Sequence, residues 1–267
     1  MKSLGTGIVI SALVCILAPA ARAQQPEILV SAAASLTDVL TGLAPQAEQA
    51  IGAKLLFNFG ASGALRRQIQ EGAPVDVFFS ASSEDVDKLM RDGLLAAGTR
   101  KDLLSNRMVL IGAPEAAPVR AATAGATTAG AATDALKAAF KNAALVAIGN
   151  PDTVPAGRYA VQALETYGVY AVVKSKLVLG GNVREVLQYV QSGSAPLGIV
   201  FLTDAMAASP GSVQRLFVFP AGSTRPILYP AAVVKASRHQ ETAARLIQFL
   251  QGNSARGAFR QAGFILQ

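Results

Sequence analysis

From Ile28 onward one unit recurs: a short apolar run, a turn of small residues, and a helix with a single apolar face. That alternation constrains the chain to an α/β architecture, because strands of this kind are covered by the helices that join them. Residues 28–33 read as the first strand, and Leu36, Val39, Leu40 and Leu43 fall on one face of the helix behind it. Residues 55–59 form the second strand, followed by Gly60-Ala-Ser-Gly63 and a helix carrying Leu65 and Ile69. Residues 75–79 form the third. Ser82 or Ser83, with Glu84 and Asp85 behind it, opens the next helix.

A strand at 108–112 leads into an Ala/Thr/Gly-rich stretch, 113–133, which reads as a surface excursion with room for one short helix. Alternation then resumes. Strands are expected at 145–148, 177–179, 197–201, 216–219 and 231–234, and helices at 156–167, 183–191, from 204, at 243–250 and at 254–262. The two halves use similar strand–turn–helix units without a clear internal repeat.

The N-terminus reads as a cleavable secretory signal over residues 1–23. Lys2 precedes an apolar run over 8–18, and Ala21-Arg22-Ala23 supplies the small-x-small cleavage site. The run is short of the ~20 apolar residues that a spanning helix needs. Val14 is too large to precede a lipid-attachment cysteine at Cys15. Beyond residue 23 there is no cysteine, which excludes disulfides, thiolate chemistry and cysteine-held metals from the exported chain. Losing Lys2 and Arg22 lowers the net charge of +7 by two. The remaining charges are scattered and Trp is absent, so no nucleic-acid stripe is present. At 51% hydrophobic and 15% charged residues, the chain can bury a sizeable core, as one large domain or two of ~120 residues.

Catalytic patterns fail in turn. Gly60-Ala-Ser62-Gly-Ala64 lacks the final glycine of a hydrolase elbow, and no phosphate-loop or dinucleotide fingerprint occurs. The single histidine, His239, reads as a surface residue, and no cluster suits a transition-metal cation. The chain does not read as an enzyme and needs no cofactor. The small turns before helices offer something else, since helix N-termini carry unpaired N–H groups and partial positive charge suited to an anion. Ser35, Ser62, Ala156 and Val183 occupy four such turns. Each also has an ordinary explanation: Ser35 with Asp38 matches a capping box, and Ser62 a tight turn. Arg184, Asp38 and Asp152 read as solvated or capping side chains.

Ala32-Ala-Ala-Ser-Leu36, Gly60-Ala-Ser-Gly63 with Leu65, Gln68 and Ile69, and Glu71-Gly-Ala-Pro-Val-Asp76 resemble segments of periplasmic molybdate-binding proteins. Phe79-Ser-Ala81, Val154-Pro-Ala-Gly157 with Tyr159-Ala160, Pro196-Leu-Gly-Ile-Val200 and Tyr229-Pro230 continue the resemblance in order along the exported chain. It implies a type II periplasmic binding protein fold, with two α/β domains of mixed, mostly parallel sheets around a ligand cleft. Domain I would comprise 24–106 and 230–267, domain II 107–229, with hinges near 105–109 and 229–232. It implies a monomer that captures molybdate or tungstate in the periplasm and delivers it to the membrane permease of an ABC importer. Binding of another tetrahedral oxyanion, sulfate or phosphate, is the alternative.

Carried over by position, Ser35 and Ser62 would give hydroxyl and N–H groups, and Ala156 and Val183 backbone N–H groups. One position departs from the family: Phe201 stands where a tyrosine hydroxyl usually reaches the oxyanion. Thr203 or a water is the expected replacement. Molybdate at neutral pH is a dianion with four acceptor oxygens and no proton, so a pocket of neutral donors fits it. Selection against sulfate would rest on the longer metal–oxygen bonds.

Overall fold

The computed structural model describes residues 25–114 and 129–267. The signal segment 1–23 and most of the Ala/Thr/Gly-rich excursion lie outside the described residues.

Strands β1 (Glu27–Ala33), β2 (Lys54–Gly60), β3 (Val77–Phe79), β4 (Lys101–Ser105), β10 (Leu228–Val233) and β11 (Ile265–Leu266) form a first sheet in the order β11-β4-β10-β3-β1-β2. Strands β5 (Met108–Gly112), β6 (Val146–Gly149), β7 (Leu177–Gly180), β8 (Leu197–Phe201) and β9 (Gln214–Val218) form a second, in the order β7-β6-β8-β5-β9. The chain passes between the sheets twice, through Asn106 and Arg107 and again over 219–227. Leu228 and Tyr229 pair with Ser105 and Leu104, so both belong to the first sheet.

The sheets are mixed but not mostly parallel. β1 pairs in parallel with β2 and β3, as does β6 with β7 and β8. Every pair made by a strand that enters or leaves by the crossings is antiparallel: β10 with β3 and β4, β4 with β11, and β5 with β8 and β9. A chain that crosses to a second sheet and returns does not arrive through a helical crossover, so nothing forces the parallel sense there.

Alternation along the strands sends side chains to two faces. Val77 and Phe79 join the main core beneath α1 (Thr37–Ile51), while Phe78 joins Leu65, Ile69, Val86 and Leu89 of α2 (Ser62–Gln70) and α3 (Ser83–Arg91). Val39, Leu40, Leu43, Ala47 and Ile51 make the buried stripe of α1, which ends at Gly52 with φ +69°. The second sheet is covered by α4 (Ala129–Asn142), α5 (Pro155–Thr166), the short α6 (Tyr170–Val173), α7 (Val183–Gln191) and α8 (Leu202–Ala207). The C-terminal α9 (Gln240–Leu250) and α10 (Asn253–Gln261) return to pack on α1.

Helix α4 is the largest departure from expectation, since the excursion was given room for only a short helix. Its buried Ala132, Leu136, Ala139 and Phe140 carry helical spacing, a stripe diluted by so much alanine that apolar patterning is faint. Between the sheets a chain of rings closes the core: Phe201 lies 5.7 Å from Tyr229, and Tyr229 lies 5.4 Å from Phe264.

Candidate functional site

In open α/β sheets, ligands sit beyond the carboxyl ends of the parallel strands, where the following helices start. Five such ends converge here. β1 runs into Ser35, β2 into Ser62, β6 through a tight loop into Ala156, β7 through Asn182 into Val183, and β8 ends at Phe201. Ser35, Ser62, Ala156, Val183 and Phe201 all line one tight cavity of about 10 Å³. Ala33, Ala34, Gly60, Ala61, Ala81, Val154 and Pro155 complete its wall. Among these residues there is no carboxylate and no cation.

The local chemistry leaves hydrogen-bond donors facing the cavity. Val154 O accepts the N–H groups of Gly157 (3.0 Å) and Arg158 (3.2 Å), and Pro155 has none, so the Ala156 N–H of this first helical turn has no acceptor among the described residues. Asn182 caps α7, its Oδ1 accepting from Arg184 N at 2.9 Å and Glu185 N at 3.1 Å, which leaves Val183 N–H. In α2, Ala61 O takes the N–H groups of Ala64 and Leu65, and Thr153 O takes that of Gly63, leaving Ser62 N–H. Close approach of strand and helix is required too: a Cβ on Gly157 would lie 1.9 Å from Gly149 O.

Both serines are buried, Ser35 at 3% exposure and Ser62 at 0%. Ser62 Oγ accepts the Ala81 N–H at 3.0 Å, which turns its hydroxyl hydrogen away from Ala81. Ser35 lies inside a single 3-10 turn, Ala34–Leu36, and caps nothing; its Oγ meets the Tyr229 hydroxyl at 3.0 Å. The capping-box reading of Ser35 and Asp38 therefore fails, because the chain enters α1 already helical at Leu36.

Charge is kept outside the cavity. Arg184, expected to be solvated, is held between Asp38 (2.6 Å) and the fully buried Asp204 (2.7 Å). Burial alone would lower the Arg184 pKa, but Asp204 and Asp38 hold it above its ordinary value. Burial pushes Asp204 up to about 7 against the opposing pull of Arg184. On the other flank Asp85, 1% exposed, accepts from Arg66 of its own side at 3.1 Å and from Arg158 of the opposite side at 2.5 Å. Asp152 stays in its turn, its N–H donating to Asn150 Oδ1 at 3.0 Å.

Phe201 is a buried wall, its ring 6.3 Å from Tyr159 and 5.7 Å from Tyr229. Thr203 does not take over the missing hydroxyl: its Oγ1 accepts from Asn106 Nδ2 at 2.9 Å, and it does not line the cavity. His239 is exposed at the start of α9. Among the described residues no cluster of His, Cys, Asp or Glu is arranged to hold a metal cation, and no helix is long and apolar enough to cross a membrane.

Residues 28–265 match the family model for bacterial extracellular solute-binding proteins. The chain belongs to that family. Its members are transport components rather than enzymes. It is 35% identical to the molybdate-binding protein ModA of Haemophilus influenzae over 245 residues, covering 91% of each chain. It is 33% identical to ModA of Escherichia coli over 247 residues, covering 92% of each. Among solved structures it resembles the periplasmic molybdate-binding protein of Azotobacter vinelandii, with a TM-score of 0.73 and 25% identity, covering 90% of this chain and 99% of that one. The fold is that of the periplasmic binding proteins.

Proposed function

We propose that this solute-binding protein captures molybdate or tungstate in the cavity between its two sheets and delivers it to the membrane permease of an ABC importer. The observation that carries this reading is the cavity itself, walled by neutral donors from both sheets without a carboxylate. A carboxylate would repel a dianion or accept from a protonated one, and none is there. The relatives named for molybdate are similar over nearly the whole chain, which supports the same ligand.

The donors are the hydroxyls of Ser35 and Ser62 and the amides of Ser62, Ala156 and Val183. A hydrogen bond to a charged group contributes ~1.5–3 kcal/mol, so these five reach the ~8 kcal/mol of micromolar affinity without a counter-ion. Residues 24–106 with 228–267, and 107–227, act as two lobes that close on the ion. In this reading residues 1–23 export the chain to the periplasm and it works as a monomer.

Calorimetric titration of the exported chain with molybdate, tungstate, sulfate and phosphate tests the proposal. Saturable binding of molybdate and tungstate, at least a hundredfold tighter than sulfate, is expected. Binding of sulfate or phosphate in preference to molybdate would overturn it in favour of another tetrahedral oxyanion.

A further inference from the structure

The hydrogen bonds behind Ser35 form a chain whose direction is fixed at its far end. Arg107 N–H donates to Asn106 Oδ1 at 2.9 Å, which settles the orientation of that amide. Asn106 Nδ2 then donates to Thr203 Oγ1 at 2.9 Å and to the Tyr229 hydroxyl oxygen at 3.1 Å. With its oxygen accepting from Asn106, Tyr229 turns its own hydrogen to the other hydroxyl within reach, Ser35 Oγ at 3.0 Å. Ser35 Oγ is thereby an acceptor on its Tyr229 side, and its hydrogen is left for the cavity. All four side chains, Asn106, Thr203, Tyr229 and Ser35, are buried, so water does not compete for these positions. Burial also keeps the Tyr229 hydroxyl protonated well above the usual phenol range.

We infer that Tyr229, set by Asn106, is a positioning residue that fixes Ser35 as a donor, so that the cavity selects oxyanions carrying no proton. The inference rests on the oxyanion reading above and extends it. Ser62 is set in the same sense by the Ala81 N–H. Both hydroxyls then point hydrogens at the ligand, and a P–OH group entering the cavity meets hydrogens where it needs an acceptor. The arrangement also offsets the loss of a hydroxyl at Phe201, since a phenol one ring behind the wall polarises the serine instead of touching the ion. Asn106 lies in one crossing between the sheets and Tyr229 directly after the other, so the chain that orients Ser35 is anchored where the lobes join.

Sulfate and hydrogenphosphate at about pH 8 share size and charge and differ by one proton, so their ratio isolates this effect. Both affinities are read by direct calorimetric titration of the exported chain with each anion. The wild type is expected to favour sulfate at least tenfold, and Tyr229→Phe to bring the ratio within about threefold while weakening molybdate about tenfold. In a Ser35→Ala background, Tyr229→Phe is expected to cost less than twofold. An unchanged sulfate-to-phosphate ratio in Tyr229→Phe, or the same tenfold loss without the Ser35 hydroxyl, would overturn the inference. Should the variant fail to fold, the wild-type ratio decides: equal binding of the two anions overturns it. A wild type that binds sulfate but not molybdate would sink the proposed ligand and leave the positioning role standing.

Discussion

Gly63 N–H donates to Thr153 O at 2.9 Å, joining the first turn of α2 to the loop before α5 across the cavity. The contact needs glycine, because a Cβ at position 63 would lie 2.5 Å from that backbone oxygen. Neither partner can swing aside as a long side chain would. Gly63→Ala is therefore expected to hold the lobes apart, weakening molybdate at least tenfold while leaving the ligand-free melting temperature within a few degrees. Calorimetry beside thermal unfolding checks both; unchanged affinity would mean that this contact plays no part in closure.

Among the described residues, ion pairs of Arg184 with Asp38 and of Arg158 with Asp85 and, at 3.9 Å, Glu84 also bridge the lobes, and their burial ranks them. The Asp38 side chain is 60% exposed, so its pair with Arg184 is worth little, in the range of ~0–1 kcal/mol for surface pairs. Asp85 is 1% exposed and keeps Arg66 when Arg158 is removed. Arg158→Ala should thus weaken the closed form without leaving an unpaired buried charge, raising Kd about five- to thirtyfold, which is about 1–2 kcal/mol. Asp38→Asn should change it less than threefold. The opposite ranking in titrations of the two variants would refute this ordering.

Phe201→Tyr restores a hydroxyl at the cavity wall. One added hydrogen bond to a charged acceptor, at ~1.5–3 kcal/mol, is expected to tighten molybdate about tenfold or more. Equal or weaker binding would show that the Tyr229–Ser35 arrangement and the added hydroxyl compete for the same oxygen.

Asp204 makes stability depend on pH. Its folded pKa of about 7 lies above the ~3.9 of an unfolded aspartate, because burial outweighs Arg184. Between those values the native chain binds more protons than the unfolded one. The protonated carboxyl contributes its full stability below the unfolded value and loses it as pH rises toward 7. The slope is negative, at most about 1.4 kcal/mol per pH unit for one proton. Urea unfolding from about pH 4 to pH 8 should show this decline in the wild type and not in Asp204→Asn. Identical slopes in the two chains would assign the decline elsewhere.

Much of this arrangement was legible along the chain because it is local. Strand ends followed by small residues and helix starts mark Ser35, Ser62, Ala156 and Val183, and the five expected site residues do line one cavity. What sequence spacing concealed are contacts between distant segments. Tyr229 reaches Ser35 across 194 positions and Asn106 reaches Thr203 across 97, and no periodicity carries such information. Arg184 was misread for the same reason, since its partners Asp38 and Asp204 come from different elements. Strand β4 escaped notice because it begins with the exposed pair Lys101-Asp102 and turns only Leu103 and Leu104 inward. The antiparallel strands follow from where the chain crosses between sheets, which strand patterning alone does not specify.

The most direct test is a crystal structure of the exported chain grown with molybdate, with anomalous data collected at the molybdenum edge. One anomalous peak is expected between the two sheets, with oxygens within hydrogen-bonding distance of Ser35 Oγ, Ser62 Oγ and the amides of Ala156 and Val183. A peak elsewhere, with those four turns unliganded, would contradict the account.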